Sequence, residues 1–405
     1  MGAVLQGKHI VVGLSGGIAA FKTPLLVRQL VSAGAEVRCV ATPNALQFVT
    51  PLTLETVSNN KVYSDVFACG NDHTTEHIAL KDWADAIVVA PATANLIGKM
   101  VAGIADDALT TLLVACWEKP RLVCPAMNEQ MWSNPITQHN VDLLRSQGVA
   151  IVGPEHGHLA CGVSGTGRMV EPGTIVKHLY KALLPQDFAG RHVLVTAGPT
   201  YEKIDAVRFI GNYSSGKMGF ALAEVLALRG AKVTLVAGPT SLETPLMDVR
   251  RIDVESASEM YEACVATFPS CQAAILSAAV ADFRPQEAVD HKIKKQDDTQ
   301  GLTLQLVQTR DILATLGSTK EAGQCLVGFA LETDNVEDNA RKKLARKNMD
   351  FVVVNSPSKD GTGFGYDTNK VTIIDKVGEV FQFPLQSKFD TAFDIVSHMA
   401  SLMTL

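Results

Sequence analysis

The sequence predicts an α/β protein built from two parallel-sheet domains, the second with a projecting β-hairpin flap. Three observations carry this. Short apolar runs such as Ile10-Val11-Val12 alternate with helical patterns along the chain, as expected of strands buried on both faces. The pattern restarts half-way: Gly7-Lys8-His9-Ile10-Val11-Val12 is echoed by Gly190-Arg191-His192-Val193-Leu194-Val195. A length of 405 residues exceeds what one average domain uses.

The first strand is expected at His9–Val12, followed by the turn Gly13-Leu14-Ser15-Gly16-Gly17 and a helix through about Val31. Further strands are expected at Glu36–Ala41, Ala86–Ala90, Arg121–Cys124 and Val149–Val152, with helices between most of them. In the second half they are expected at Val233–Val236, Ala273–Leu276, Cys325–Phe329 and Phe351–Val354. Both halves therefore read as Rossmann/flavodoxin-like, with domains at 1–188 and 189–405 joined through Leu184–Gly190. Lys292–Lys295 and Leu302–Leu306 bracket Asp297–Gly301 and read as the hairpin. It is either an edge flap or subunit contact, or a lysine-bearing lid over phosphates.

Composition excludes several classes. Apolar residues make up 47% and the net charge is -6 without a long run of one sign, which argues against nucleic acid or a membrane surface as partner. No apolar stretch has the ~20 residues needed to span a bilayer. Eight cysteines without a CxxC pair read as reduced thiols, so the expected location is cytoplasmic.

Ser15-Gly16-Gly17-Ile18-Ala19-Ala20 lies where the first strand meets the first helix, and small residues there let backbone N–H groups approach a phosphate. The order is not GxGxxG and no acid ends the next strand, so a mononucleotide fits better than a dinucleotide. Pro91-Ala92-Thr93-Ala94-Asn95 and Pro125-Ala126-Met127-Asn128-Glu129-Gln130-Met131-Trp132 follow later strands, in the crevice where such sheets bind ligands. His77 precedes Trp83, and Gly157–Met169 surrounds Cys161. Singly, His77 reads as a helix-surface histidine, Asn128 as a helix cap and Cys161 as a small core residue.

Together these segments resemble the homo-oligomeric flavin-containing cysteine decarboxylases, and specifically the phosphopantothenoylcysteine decarboxylase branch, over nearly all of residues 7–183. The resemblance implies FMN bound by Ser15, Gly16, Gly17, Ile18, Thr42, Pro91, Ala92, Thr93, Asn95 and Met127, a trimeric building block, and His77, Asn128 and Cys161 as the working trio. The flavin would oxidise the substrate thiol to a thioaldehyde, an electron sink that lets CO2 leave. Cys161 would protonate the resulting enethiolate, while His77 and Asn128 act on the carboxylate or thiol. Asp82 departs from the basic residue this family often has before Trp83.

In the second half, Thr196-Ala197-Gly198-Pro199-Thr200 follows the first strand, and Ile210–Gly219 leads into the first helix. Ser and Gly residues before a helix suit a phosphate cradle, although the spacing is not a Walker A motif. Ser277–Asp282 follows one strand and Gly328–Thr333 ends another. Lys343 and Lys347 share a helix face, either to hold phosphates or as a solvated surface. These features resemble phosphopantothenate–cysteine ligases over essentially all of residues 190–405. That resemblance implies CTP bound by Ser277, Ala278, Ala279, Asp282, Lys292, Arg310, Asp311, Ile312, Leu313, Phe329, Lys343 and Lys347. It makes Lys292 act on the phosphates and Asn212 stabilise the acyl-cytidylate, with Mg²⁺ neutralising the leaving pyrophosphate.

The combined implication is a bifunctional enzyme of coenzyme A biosynthesis. It would join 4'-phosphopantothenate to L-cysteine with CTP and then decarboxylate the product, assembling as trimers through the first domain and dimers through the second. The alternatives are a nicotinamide-dependent dehydrogenase, weakened by the missing GxGxxG, and a non-catalytic regulatory flavoprotein, weakened by the intact trio.

Overall fold

The computed structural model describes residues 4–67, 75–158, 162, 164–294, 302–331, 336–355 and 365–403. The chain divides into two units, residues 1–184 and 185–405. The expected boundary at 188 falls inside the second unit for a physical reason. Phe188 is fully buried there, its N–H donates to Arg229 O at 3.1 Å, and Asp187 accepts the Arg229 guanidinium at 2.9 Å.

In the first unit β1 (His9–Leu14), β2 (Glu36–Ala41), β3 (Ala86–Ala92), β4 (Arg121–Pro125) and β5 (Ala150–Ile151) are all parallel. Their order is β2-β1-β3-β4-β5. Every residue of β3 is buried, and Val11, Ile87, Val89 and Val123 belong to one apolar cluster with Leu109 and Leu112. Strand order reverses between β1 and β3, where a crevice opens at the carboxyl ends. The helix expected directly after Gly17 is instead a short 3-10 turn, Ile18–Lys22, and the α-helix runs from Thr23 to Ser32 with Pro24 in its first turn, a position that needs no N–H. Glu155–His158 and Ser164–Arg168 pair as an antiparallel hairpin.

In the second unit β6 (His192–Ala197), β7 (Lys232–Ala237), β8 (Val249–Asp253), β9 (Ala273–Leu276), β10 (Cys325–Leu331) and β11 (Phe351–Asn355) are parallel. β12 (Val371–Asp375) and β13 (Val380–Gln382) extend the sheet antiparallel. The order is β8-β7-β6-β9-β10-β11-β12-β13, which puts the reversal between β6 and β9.

The flap differs from the expected hairpin. Phe283–Pro285 pairs with Leu306–Gln308, while Lys292–Lys294 and Leu302–Gln305 are not strands. Ile293 shows why, since both its backbone groups are already taken: its N–H donates to Asp205 Oδ2 at 3.1 Å and its carbonyl accepts Arg208 Nη2 at 3.1 Å. Lys295 and Asp297–Gly301 lie outside the described residues. Among the described residues, no helix is long and apolar enough to cross a membrane.

Candidate active sites

Ser15 locks the first crevice. Only 3% exposed, it donates through Oγ to Pro91 O at 2.9 Å and accepts the Thr93 N–H at 3.0 Å, so the loop after β1 is tied to the loop after β3. Thr93 in turn caps the helix Ala94–Ala102 through Leu96 N–H. Gly16 is required sterically, because a Cβ there would stand 2.5 Å from Asn44 Cβ. Gly167 is tighter still, at 2.1 Å from Met127 O. β2 ends without an acid, and Thr42, itself buried, accepts the Ala45 N–H at 3.2 Å. That removes the ribose partner a dinucleotide needs.

A cavity of about 690 Å³ opens here, lined by Gly16, Gly17, Ile18, Thr93, Met127 and Asn128 among others, within the range of ligand sites. Pro91 and Ala92 are buried below it in β3, and Asn95 is exposed on the following helix. A small-residue loop, a cavity of this size and no ribose acid fit a flavin mononucleotide. His158, at the end of one hairpin strand, also lines the cavity. Asn128 caps the short helix Glu129–Trp132 by accepting Gln130 N–H at 2.8 Å, so its cap role and its cavity position coexist. His77 is not among the residues lining the cavity. It stands in the helix Glu76–Trp83 with Nδ1 buried and unpartnered. Cys161 lies outside the described residues. Asp82 pairs with its neighbour Lys81 at 2.9 Å. Burial pushes the Cys39 thiol up to about 12 and the Cys116 thiol up to about 11, which leaves both unreactive.

The second crevice repeats this design. Ala279 N–H donates to Gly198 O at 2.9 Å, Ala281 N–H to Thr200 Oγ1 at 3.0 Å and Asn212 Nδ2 to Ala279 O at 3.0 Å. The loops after β6 and β9 are thus joined, with Asn212 at the seam. A cavity of about 160 Å³ is lined by Ser214–Gly219, Ser277, Ala278, Ala279, Phe329, Ala330, Asn355, Asn369 and Lys388.

The other nucleotide candidates are not among the residues lining this cavity. Asp311 caps the helix Ile312–Thr319 and pairs with Lys347 at 2.8 Å. Burial works to raise the Asp311 pKa, but Lys347 and the Ala314 N–H outweigh it, and the net shift is down. Lys343 is half-buried one turn before Lys347. Arg310 faces the neighbouring helix, stacked 3.9 Å from the Tyr261 ring and paired with Glu262 at 3.0 Å. Ile312 is core and Leu313 packs beside it, so both support the loop from beneath. Asp282 and Lys292 are exposed. Sequence reasoning missed Asn355, Asn369 and Lys388. Asn355 had a signal, since it ends β11 in the crevice where Ser277 follows β9.

Two family models match the chain: Flavoprotein over residues 3–184, and the C-terminal domain of DNA/pantothenate metabolism flavoprotein over residues 188–403. The coenzyme A biosynthesis bifunctional protein of Bacillus subtilis is 46% identical over 402 residues, covering 98% of each chain. The chain belongs to the coenzyme A biosynthesis bifunctional protein family. The Escherichia coli relative is 45% identical over 387 residues, covering 95% of this chain and 94% of its own. A crystal structure of the C-terminal domain of such a protein is 43% identical, covers 54% of this chain and 98% of its own, and has a TM-score of 0.46. As a coenzyme A biosynthesis bifunctional protein, the chain is an enzyme that joins a flavoprotein decarboxylase half to a ligase half.

Proposed function

We propose that residues 185–405 condense 4'-phosphopantothenate with L-cysteine at the expense of CTP, and that residues 1–184 decarboxylate the resulting 4'-phosphopantothenoylcysteine. The observation that carries this reading is that each sheet reverses its strand order once, between β1 and β3 and between β6 and β9. At both points a loop of small residues is hydrogen-bonded to the loop of the next central strand, forming a ready anion site.

In the first unit Ser15–Ile18, Thr42, Pro91–Thr93, Asn95 and Met127 hold FMN, whose two-electron chemistry opens a route for CO2 to leave an unactivated carboxylate. Asn128 hydrogen-bonds the substrate carboxylate, His77 handles a substrate proton, and Cys161 delivers the proton that completes the product. Asn128 lines the cavity and His77 does not; in this proposal the three residues act together in a trimer. Ile18, Phe21 and Met131, apolar and about half exposed at the cavity rim, support a trimer around this site.

In the second unit the substrate carboxylate attacks the α-phosphorus of CTP, and the bond to the β-phosphate breaks. Lys292, Lys343 and Lys347 oppose the phosphate charge; Ser277, Ala278 and Ala279 present the nucleotide bed, with Phe329 beside it. Cysteine's amine then displaces CMP, with Asn212 donating to the acyl oxygen. Mg²⁺ would arrive with the nucleotide's phosphates, as is usual for this ion. A dimer through this unit and a cytoplasmic location complete the proposal.

The test is to incubate the purified full chain with CTP, 4'-phosphopantothenate and L-cysteine and to follow 4'-phosphopantetheine and CMP. Their formation, with a bound flavin spectrum, is expected. Colourless protein that takes up no FMN overturns the first half of the proposal, and CMP formation that does not need phosphopantothenate overturns the second.

A further inference from the structure

Lys388 opens the helix Lys388–Leu402, yet its side chain turns inward: the residue is only 8% exposed and lines the cavity beside Ser214–Gly219. Its ammonium donates to the carbonyl of Tyr366. Among the described residues no carboxylate stands within ion-pair distance of it. Asp367, beside Tyr366, is committed to Lys217 at 2.6 Å, and Lys217 lines the same cavity. A buried ammonium whose nearby carboxylate, Asp367, is engaged by another cation is costly to keep. Burial, and then the nearby Lys217, lowers the Lys388 pKa.

Two amides share the cavity and are also under-used. Asn369 is 3% exposed, and among the described residues its Oδ1 has no hydrogen-bond partner. Its NH2 meets, among the described residues, Met218 Sδ at 3.4 Å, a weak acceptor. Turning the amide over would aim that NH2 at an anion. Asn355 Oδ1 is likewise buried without a partner. On the facing side Gly216 begins the helix Lys217–Leu228, whose first N–H groups favour negative charge. The volume, about 160 Å³, is below the ~300–1,000 Å³ of sites that enclose a whole ligand. It suits part of a nucleotide.

We infer that Lys388, with Asn369, is the binding site for the pyrophosphoryl end of the nucleotide and holds the pyrophosphate as it departs. The inference rests on the CTP reading above and adds residues that reading does not contain. When the carboxylate oxygen bonds to the α-phosphorus, the α-to-β bridge breaks and its electron pair leaves on pyrophosphate. The Lys388 ammonium opposes that growing charge electrostatically and gives up no proton.

The test titrates inorganic pyrophosphate, and separately CMP, into the full chain with Mg²⁺ present, by calorimetry. Lys388→Met should weaken pyrophosphate at least tenfold and leave CMP within twofold. Lys388→Arg should keep pyrophosphate within threefold. Unchanged pyrophosphate affinity in Lys388→Met, or an equal loss of CMP, overturns the assignment. Should Lys388→Met not fold, Asn369→Leu decides: pyrophosphate weakened at least threefold supports the site, and no change overturns it. If the unaltered chain binds neither CTP nor CMP, it is the ligase reading that fails, not the placement of Lys388 within it.

Discussion

Replacing Ser15 by alanine tests whether the first crevice is preorganised for a flavin. The hydroxyl meets three partners, Pro91 O at 2.9 Å, Thr93 Oγ1 at 3.3 Å and the Thr93 N–H at 3.0 Å, but its one proton serves either of the first two. Pro91 O keeps a second donor in the alanine variant, the Ser15 N–H at 3.2 Å. The uncompensated loss is therefore the Thr93 N–H. An orphaned buried donor costs about 1–3 kcal/mol, and the half-buried setting of Thr93 places it in the lower part of that range, about 1–2 kcal/mol. If the two loops must be re-set whenever FMN binds, affinity falls about 5- to 30-fold, at tenfold per 1.4 kcal/mol. The assay is flavin fluorescence quenching on the flavin-stripped full chain. Thr50→Ala is the control, since it removes a comparable cap from the helix Pro51–Ser58 in the same unit and should leave FMN affinity within twofold. A Ser15→Ala dissociation constant within threefold of the original, or an equal loss in Thr50→Ala, refutes the reasoning.

Three further outcomes are expected. Cys161→Ser should release CO2 in a single turnover but form no saturated thiol product; normal product yield by mass spectrometry would show another proton donor. Lys292→Gln should abolish pyrophosphate release from CTP, whereas Asn212→Asp should form acyl-cytidylate and accumulate it, a loss of ~100- to 1000-fold in the second step. Mass spectrometry without cysteine separates the two, and the opposite pattern would reverse the roles. For acid stability, the Arg208 hydrogen bonds hold the Asp205 carboxyl well below its ordinary range. A depressed folded pKa gives stability that is present above the unfolded value of ~3.9 and is lost as pH falls through the folded value. Asp205→Asn should therefore be less stable than the original at pH 6, with the gap closing below about pH 4; a gap that stays constant to pH 2 counts against it.

The central strands were legible because parallel strands buried on both faces leave unbroken apolar runs, and Glu36–Ala41 and Ala273–Leu276 form over the residues expected of them. The loops after them were legible because that topology puts ligands at the carboxyl ends. What failed depended on partners far away in sequence. Three lysines and an alternating arm looked like a hairpin, but Asp205 and Arg208 take the backbone of Ile293. Arg310 stands in the segment expected to meet the nucleotide, and nothing in the sequence signals that Tyr261 and Glu262 hold its guanidinium. Lys388 carries no local mark at all, and only its packing reveals that a charge has been buried. His77 and Asn128 are recognisable as residue types, while only the fold shows that Asn128 lines the first cavity and His77 does not.

The hold of Asp205 on Ile293 has one more consequence. Between Gln286 and Gln305, whose backbones meet at 2.9 Å, the chain makes a long excursion, and the Asp205 bond moors it at a point inside. Lys292 is the residue next to that mooring. Fixing a residue's backbone costs about 1–2 kcal/mol, and for Lys292 much of that ordering is completed when the unit folds rather than when a nucleotide arrives. The same carboxylate lies in the loop joining the paired strands Tyr201–Lys203 and Phe209–Gly211, the second of which ends one residue before Asn212. Lys292 and Asn212, the residues proposed to act on the phosphates and on the acyl oxygen, therefore take their places near a common anchor, and a shift in that anchor should be felt in both proposed steps together.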